Sequence, residues 1–228
     1  MATQLELPLF PLNIVLFPKA MLPLRIFEER YKLMMGRILG GSRQFGVTLI
    51  KSGVEVGGPA TPFDVGTTAI IKDVAPMGGG RLAMTCVGEK PFRILEILHE
   101  EPYMTAIVET LDYDSAPLLG SDNLIDQVKH SFRTHVKLVS QILMQEPPAI
   151  SVDLDAEALS YLVGSTMQVH AIDKQELLEI ASLEPRLRKE ADLLERENTV
   201  LKHYIARRNK DDSDPPDKSP FNPSFSKN

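Results

Sequence analysis

At 228 residues the chain can bury one large core or two small ones, and 43% hydrophobic with 25% charged residues is globular rather than fibrous or disordered composition. A formal net charge of -6 excludes the broadly basic surface that a phosphate backbone attracts, so no nucleic acid partner is expected. The single cysteine, Cys86, excludes an intramolecular disulfide and points to a cytoplasmic protein.

The apolar N-terminus is interrupted by Glu6 and broken by Pro8, Pro11, Pro18 and Pro23, so it reads as neither a signal peptide nor a membrane span. Elsewhere no run approaches the about 20 apolar residues of a transmembrane helix. Residues 3 to 112 read mainly as strands with one early helix. From Phe27 to Leu39, Phe27, Tyr31, Met34, Met35 and Ile38 recur at helical spacing, and Gly40-Gly41 stops the run. Phe45 to Lys51, Thr67 to Ala75, Arg81 to Val87, Phe92 to His99 and Tyr103 to Asp112 are short runs of β-branched and aromatic residues. Gly78-Gly79-Gly80 reads as a hairpin turn, because a phosphate-cradling loop requires G-x-x-x-x-G-K-[ST] opening a helix, and here Arg81 opens a strand.

Near Pro117 the apolar period changes from two to 3.6. Leu124, Val128, Phe132, Val136, Val139 and Leu143 form one stripe of a long helix that Pro147-Pro148 ends. A second helix covers Ala156 to Met167. The spacing of Asp173 and Glu176 predicts a capping box opening a third helix that runs to about Leu183. Pro185 suits the first turn of a fourth, continuing from Arg186 to Arg207. Beyond it the sequence is polar and proline-rich and is expected to be disordered.

The order of these elements and several motifs resemble the substrate-binding N-terminal domain of Lon proteases. The resemblance rests on Leu7-Pro8-Leu9-Phe10-Pro11-Leu12-Asn13-Ile14-Val15-Leu16-Phe17-Pro18 and on Leu22-Pro23-Leu24-Arg25-Ile26-Phe27-Glu28-Glu29-Arg30-Tyr31, the latter similar to a run of the short proteins that carry only this domain. Leu82, Thr85, Gly88, Phe92-Arg93-Ile94 and Tyr103-Met104-Thr105-Ala106 match the family's later strands. Asp173-Lys174-Gln175-Glu176-Leu177-Leu178-Glu179 is similar to a helical segment of Lon proteases. The likeness covers about residues 3 to 205. It implies an α+β fold: a PUA-like, mostly antiparallel β-barrel over residues 1–115, an α-helical bundle with a long C-terminal helix over 116–207, and a tail over 208–228. The sequence contains neither G-x-x-x-x-G-K-[ST] nor the family's P-x-D-G-P-S-A-G nucleophile segment, so the expectation is a module without ATPase or peptidase chemistry.

No other catalytic centre is legible. Cys86 alternates with Leu82 and Met84 on one strand face, the pattern of a core residue rather than a thiolate. His99, His130, His135, His170 and His203 form no H-E-x-x-H, and the five-residue gap between His130 and His135 sets them on different helix faces. Asp153 and Asp155 suit helix starts. Arg25, Glu28 and Arg30 read as a structural ion-pair network orienting the early helix on the barrel. No catalytic, cofactor or metal residue is therefore assigned, and the substrate-binding residues remain unknown from sequence.

The last helix repeats Leu187, Leu194 and Leu201 every seven residues, with Ala191, Asn198 and Ile205 four further on, a seam that admits oligomerisation. Packing within the chain is the preferred reading. The resemblance implies recognition of unfolded or short-lived client proteins, with a full-length protease as a second partner it admits. A small-ligand or RNA-binding PUA-like module is the rival reading.

Overall fold

The computed structural model describes residues 3–99, 102–112, 122–152 and 154–211. Six strands come first: β1 (Gln4–Leu12), β2 (Met21–Ile26), β3 (Gln44–Gly53), β4 (Ala60–Pro76), β5 (Leu82–His99) and β6 (Thr105–Thr110), with α1 (Glu29–Leu39) between β2 and β3. Helices α2 (Asp122–Leu143), α3 (Ala156–Thr166), α4 (Ala171–Glu179) and α5 (Leu183–Asp211) follow. The fold is α+β, as the residue patterns require.

The sheet order is β2-β5-β4-β3-β1-β6, and a further β5–β6 pairing closes five of the strands into a barrel. All pairings are antiparallel except β1 with β3. β5 serves two neighbours along one edge: Leu82 to Val87 pair with β2, and Phe92 to His99 pair with β6. β6 goes on to pair with β1, whereas β2 has no second partner strand among the described residues. The barrel is thus closed at one end and open at the other, between β2 and the end of β1.

Three sequence expectations shift here. The runs expected at Arg81 to Val87 and Phe92 to His99 are one strand, which starts at Leu82, because Gly88 and Pro91 lie in the stretch where β5 changes neighbours and do not form a turn. Pro91 has no N–H to offer, and its carbonyl accepts from Leu111 at 2.8 Å. Next, α4 starts at Ala171 with His170 at its N-cap, so Asp173 lies inside the first turn; its carboxylate pairs with Arg196 at 3.2 Å instead of forming a capping box. Finally, α4 ends at Glu179 because Ile180 turns extended, and α5 starts at Leu183, with Pro185 in its first turn, and continues past Arg207 to Asp211. The expected boundary at 115/116 and the tail from 212 lie outside the described residues.

Gly78, Gly79 and Gly80 all take positive φ, and the N–H of Met77 reaches the carbonyl of Arg81 at 2.8 Å, which closes the β4–β5 hairpin. The open end of the barrel packs its apolar side chains, Phe10, Leu22, Leu24, Ile26, Phe45 and Met84 among them, against Tyr31, Met34, Met35 and Ile38 of α1. The closed end is filled by Leu7, Leu9, Phe92, Ala106 and Val108.

The helices have a core of their own, into which the barrel contributes Phe17 and Val65. Gln175 of α4 donates to the carbonyl of Val65 at 3.0 Å, tying the two halves further. On α5, Leu187, Ala191, Leu194 and Asn198 are all buried within the chain, so the first part of the heptad seam is occupied by the chain's own helices.

Candidate functional site

The open end of the barrel is where function has room. A slot of about 250 Å³ separates β2 from the end of β1. Phe10, Leu12, Leu22, Leu24, Ile26 and Tyr31 are its buried floor, and exposed Ile14, Phe27 and Val56 stand at its rim. The alternation of β2 dictates this: Leu22, Leu24 and Ile26 point inward while Met21, Pro23 and Arg25 are exposed. Phe10 and Tyr31 stack in the floor with ring centroids 4.0 Å apart, and burial raises the Tyr31 phenol above its ordinary value.

One wall of the slot is the loop over residues 54–59, and it is held from two sides. From α1, Arg30 donates to the Gly58 carbonyl at 3.0 Å, and Glu28 accepts from the Gly57 N–H at 3.1 Å while pairing with Arg30 at 3.1 Å. From the loop after β1, the Asn13 N–H donates to Glu55 at 2.9 Å. Glu28 and Arg30 therefore form an ion pair that fixes a loop, whereas Arg25 is exposed at the slot and stands outside that pair.

Across Ile14 and Leu22 the slot adjoins a larger groove, about 700 Å³, between the barrel and the helices. Residues 14 to 22 form one wall and Leu154, Ala158, Tyr161, Leu162, Ser165 and Lys174 the other. The two cavities make one trough. Met21, on the groove wall next to Leu22, is 71% exposed, and Ile14, Phe27, Val54, Val56 and Leu154 are further exposed apolar residues of this region. These apolar side chains remain in contact with water close to one another, which is uncommon on a protein surface.

The trough is rigidly based. The Lys19 N–H donates to the Gly88 carbonyl at 2.8 Å and the Gly88 N–H to the Ala20 carbonyl at 3.0 Å, so the loop after β1 is stapled to β5. The next segment, β2, presents an edge without a partner strand among the described residues, but Pro23 in its middle removes one donor and limits strand addition there.

Of the described residues considered from sequence, Arg25 and Glu28 line the slot, Arg30 pairs with Glu28, and Asp155 lines the groove, whereas Cys86, His130, His135, His170 and His203 line neither cavity. Cys86 is wholly buried, and that burial pushes its thiol up to about 11. His130 and His203 are exposed on α2 and α5, His170 sits at the start of α4, and His135 is buried, its Nδ1 3.2 Å from Asn198 Oδ1. The side chain of His99 and the whole of Asp153 lie outside the described residues. Asp155 caps α3 by accepting from the Ala158 N–H at 2.7 Å. Among the described residues no group of three or more His, Cys, Asp or Glu side chains could hold a metal ion, and no helix is long and apolar enough to cross a membrane.

Sequence reasoning passed over the trough and one internal network. Glu190 of α5 is fully buried; it accepts from the Ser160 hydroxyl at 2.6 Å, and that hydroxyl accepts from Arg186 Nε at 2.7 Å. The Arg186 guanidinium lies over the Tyr161 ring at 4.7 Å, so the network braces α3 against α5. A helical repeat that places Glu190 three residues after Leu187 and four before Leu194 was the available signal, since both leucines face the core.

Comparisons with known proteins agree with this architecture. The Lon protease 2 of Herpetosiphon aurantiacus is 31% identical over 210 residues, which is 90% of this chain and 26% of that protein. The Lon protease of Syntrophus aciditrophicus is 29% identical over 191 residues, 80% of this chain and 24% of the relative. The chain thus spans about a quarter of the length of these relatives. The crystal structure of a Lon N-terminal domain protein from Xanthomonas campestris aligns with a TM-score of 0.60 and 23% identity, covering 81% of this chain and 96% of that one. The N-terminal domain of the Mycobacterium avium complex Lon protease also aligns with a TM-score of 0.60, at 19% identity over 83% of this chain and 98% of its own. Residues 6–196 match the profile of the ATP-dependent protease La (LON) substrate-binding domain, and the chain belongs to that family.

Proposed function

We propose that this protein is a non-catalytic recognition module that binds exposed apolar, extended segments of unfolded or short-lived client proteins in the cytoplasm. The observation that carries the reading is the trough: a floor of buried aliphatic and aromatic side chains, a rim of exposed Ile14, Met21, Phe27 and Val56, and beside it the edge of β2, which has no second partner strand among the described residues. Such a surface offers hydrophobic contact with modest directional bonding, which suits many sequences and no single one. Delivery of the bound client to a full-length protease follows naturally from the family and is part of the proposal.

The test is a titration of one labelled protein in its unfolded and folded forms at two salt concentrations. Because the client loses conformational entropy on docking, binding of the unfolded form in the micromolar range is expected, on the order of -8 kcal/mol, with weak salt dependence. Equal binding of both forms, or steeply salt-dependent binding to RNA in their place, overturns it. The same preparation is expected neither to hydrolyse ATP nor to degrade casein. Activity that follows the protein through an orthogonal purification would sink the non-catalytic part.

A further inference from the structure

The groove half of the trough carries an asymmetry of charge. Its walls are apolar through Ile14, Val15, Leu16, Leu154 and Leu162, but two cations, Lys19 and Lys174, and one carboxylate, Asp155, line it as well. The carboxylate is already engaged at the N-terminus of α3, where it accepts from a backbone N–H at 2.7 Å. Neither lysine has an ion-pair partner among the described residues, so the charge left unanswered in the groove is positive.

Lys174 is the more constrained of the two. Its ammonium is half-buried and makes one hydrogen bond, to the Ser165 carbonyl at 3.2 Å in the last turn of α3. That bond alone is what a lysine capping the end of a neighbouring helix would make. An ammonium has three donors, however, and here only one is answered by protein, on a wall that Leu154, Ala158 and Leu162 make largely apolar. Burial lowers its pKa, the mark of a cation short of compensating charge. A carboxylate arriving in the groove would supply that compensation and would itself be held by a charge-assisted bond.

Resting on the recognition function proposed above, we propose that the groove holds the C-terminal end of a client chain: apolar side chains lie against Ile14, Leu16 and Leu162, and the terminal carboxylate is bound by Lys174, with Lys19 on the opposite wall adding to the attraction. A volume of about 700 Å³ admits a chain end of several residues. A terminus suits the place better than an interior acidic residue. Lys174 belongs to α4 and is bonded to α3, and a chain that stops there leaves its full terminal charge at the half-buried amine with no further residue to accommodate.

The experiment uses the full chain and a fluorescein-labelled hexapeptide ending in Leu-Ala-Val. It is prepared as the free acid, as the terminal amide, and as an amide with one interior glutamate. Fluorescence anisotropy is expected to show the acid binding at least fivefold more tightly than either amide. In Lys174→Met that preference should fall to near unity, in Lys174→Arg it should largely persist, and Lys19→Gln should reduce it by a smaller factor.

The acid-to-amide ratio on the unaltered protein needs no variant, so a poorly folding Lys174→Met does not shield the idea. Equal binding of acid and amide overturns it, as does a preference that survives in a folded Lys174→Met. If the interior glutamate binds as well as the free acid, the groove reads acidic side chains and the terminus is wrong. Unfolded protein bound alongside equal acid and amide affinities removes this inference alone, while no binding of peptides or unfolded protein removes the recognition function too.

Discussion

The ring of Phe17, from the loop after β1, lies directly against Gly164 of α3: a Cβ built on that glycine would stand 2.7 Å from Phe17 Cε1. Phe17 is a barrel-side residue in the core of the helices, and the missing side chain at 164 is what lets it in.

Gly164→Ala is therefore expected to destabilise the protein even though alanine favours helix. Overpacking of this kind costs about 1–3 kcal/mol, and in a chain of this size each kcal/mol corresponds to a melting shift of about 2–4 °C. Thermal denaturation followed by circular dichroism checks it. A rise in melting temperature would show that Phe17 repacks freely and that the two halves are not bolted together at this point.

A second expectation concerns pH. Burial pushes the Glu190 carboxyl from its ordinary value of 4.5 up to about 8, against the opposing effects of the Ser160 hydrogen bond and the Arg186 charge. In the unfolded chain the same carboxyl ionises near its ordinary value. Its contribution to stability is thus complete below pH 4.5 and is lost as pH rises through about 8. Urea denaturation of the native protein and Glu190→Gln across this range should show the difference between them changing with that sign. Parallel pH profiles would mean that Glu190 stays ionised beside Arg186.

On the other face of α5, Asn198 bridges to α2 twice, through His135 Nδ1 at 3.2 Å and by donating to the Ser131 carbonyl at 2.9 Å. Asn198→Ala leaves buried polar groups without those partners and is expected to cost about 1–3 kcal/mol. Burial holds the His135 imidazole below its ordinary value of 6.5, outweighing Asn198 and Glu197, which act the other way. That group's stabilisation is present above pH 6.5 and disappears as pH falls through the lowered value, so His135→Gln should flatten the acid side of the stability profile. Chemical denaturation at pH 5 and 7.5 would reveal an unchanged slope if the imidazole titrates normally.

The trough itself is probed by Met21→Ser with Phe27→Ser. Both side chains are half exposed or more, so melting should move little. Each contributes on the order of 1.5 kcal/mol when a client covers it, so the pair should weaken binding of an unfolded protein by at least tenfold. Undiminished affinity in the doubly substituted protein would move the client surface elsewhere.

Much of the fold was legible because its causes are local. The stripe from Leu124 to Leu143 makes a helix wherever it sits, and the β-branched runs from Phe45 onward make strands; the shared runs around Leu7 and Leu22 were enough to indicate the family. Cys86 could be placed in the core by alternation alone. The two proline-bearing strands at the N-terminus and the continuity of β5 through Gly88 and Pro91 were not separable, since those residues break regular structure unless a neighbouring strand changes there.

What tertiary structure alone decided is which apolar and charged residues stay in contact with water. Met21 and Phe27 look like core residues in the sequence, yet Met21 lies on the outer face of β2 and Phe27, just past its end, is half exposed; Glu190 looks like a surface charge, yet α5 carries it to Ser160. Lys19 and Lys174 are 155 positions apart and line one groove only because the barrel and helices pack around Phe17. Periodicity tells a residue which face of its own element it occupies. Whether that face meets another element or water depends on where the sheet closes, and among the described residues this one leaves β2 with a single partner strand.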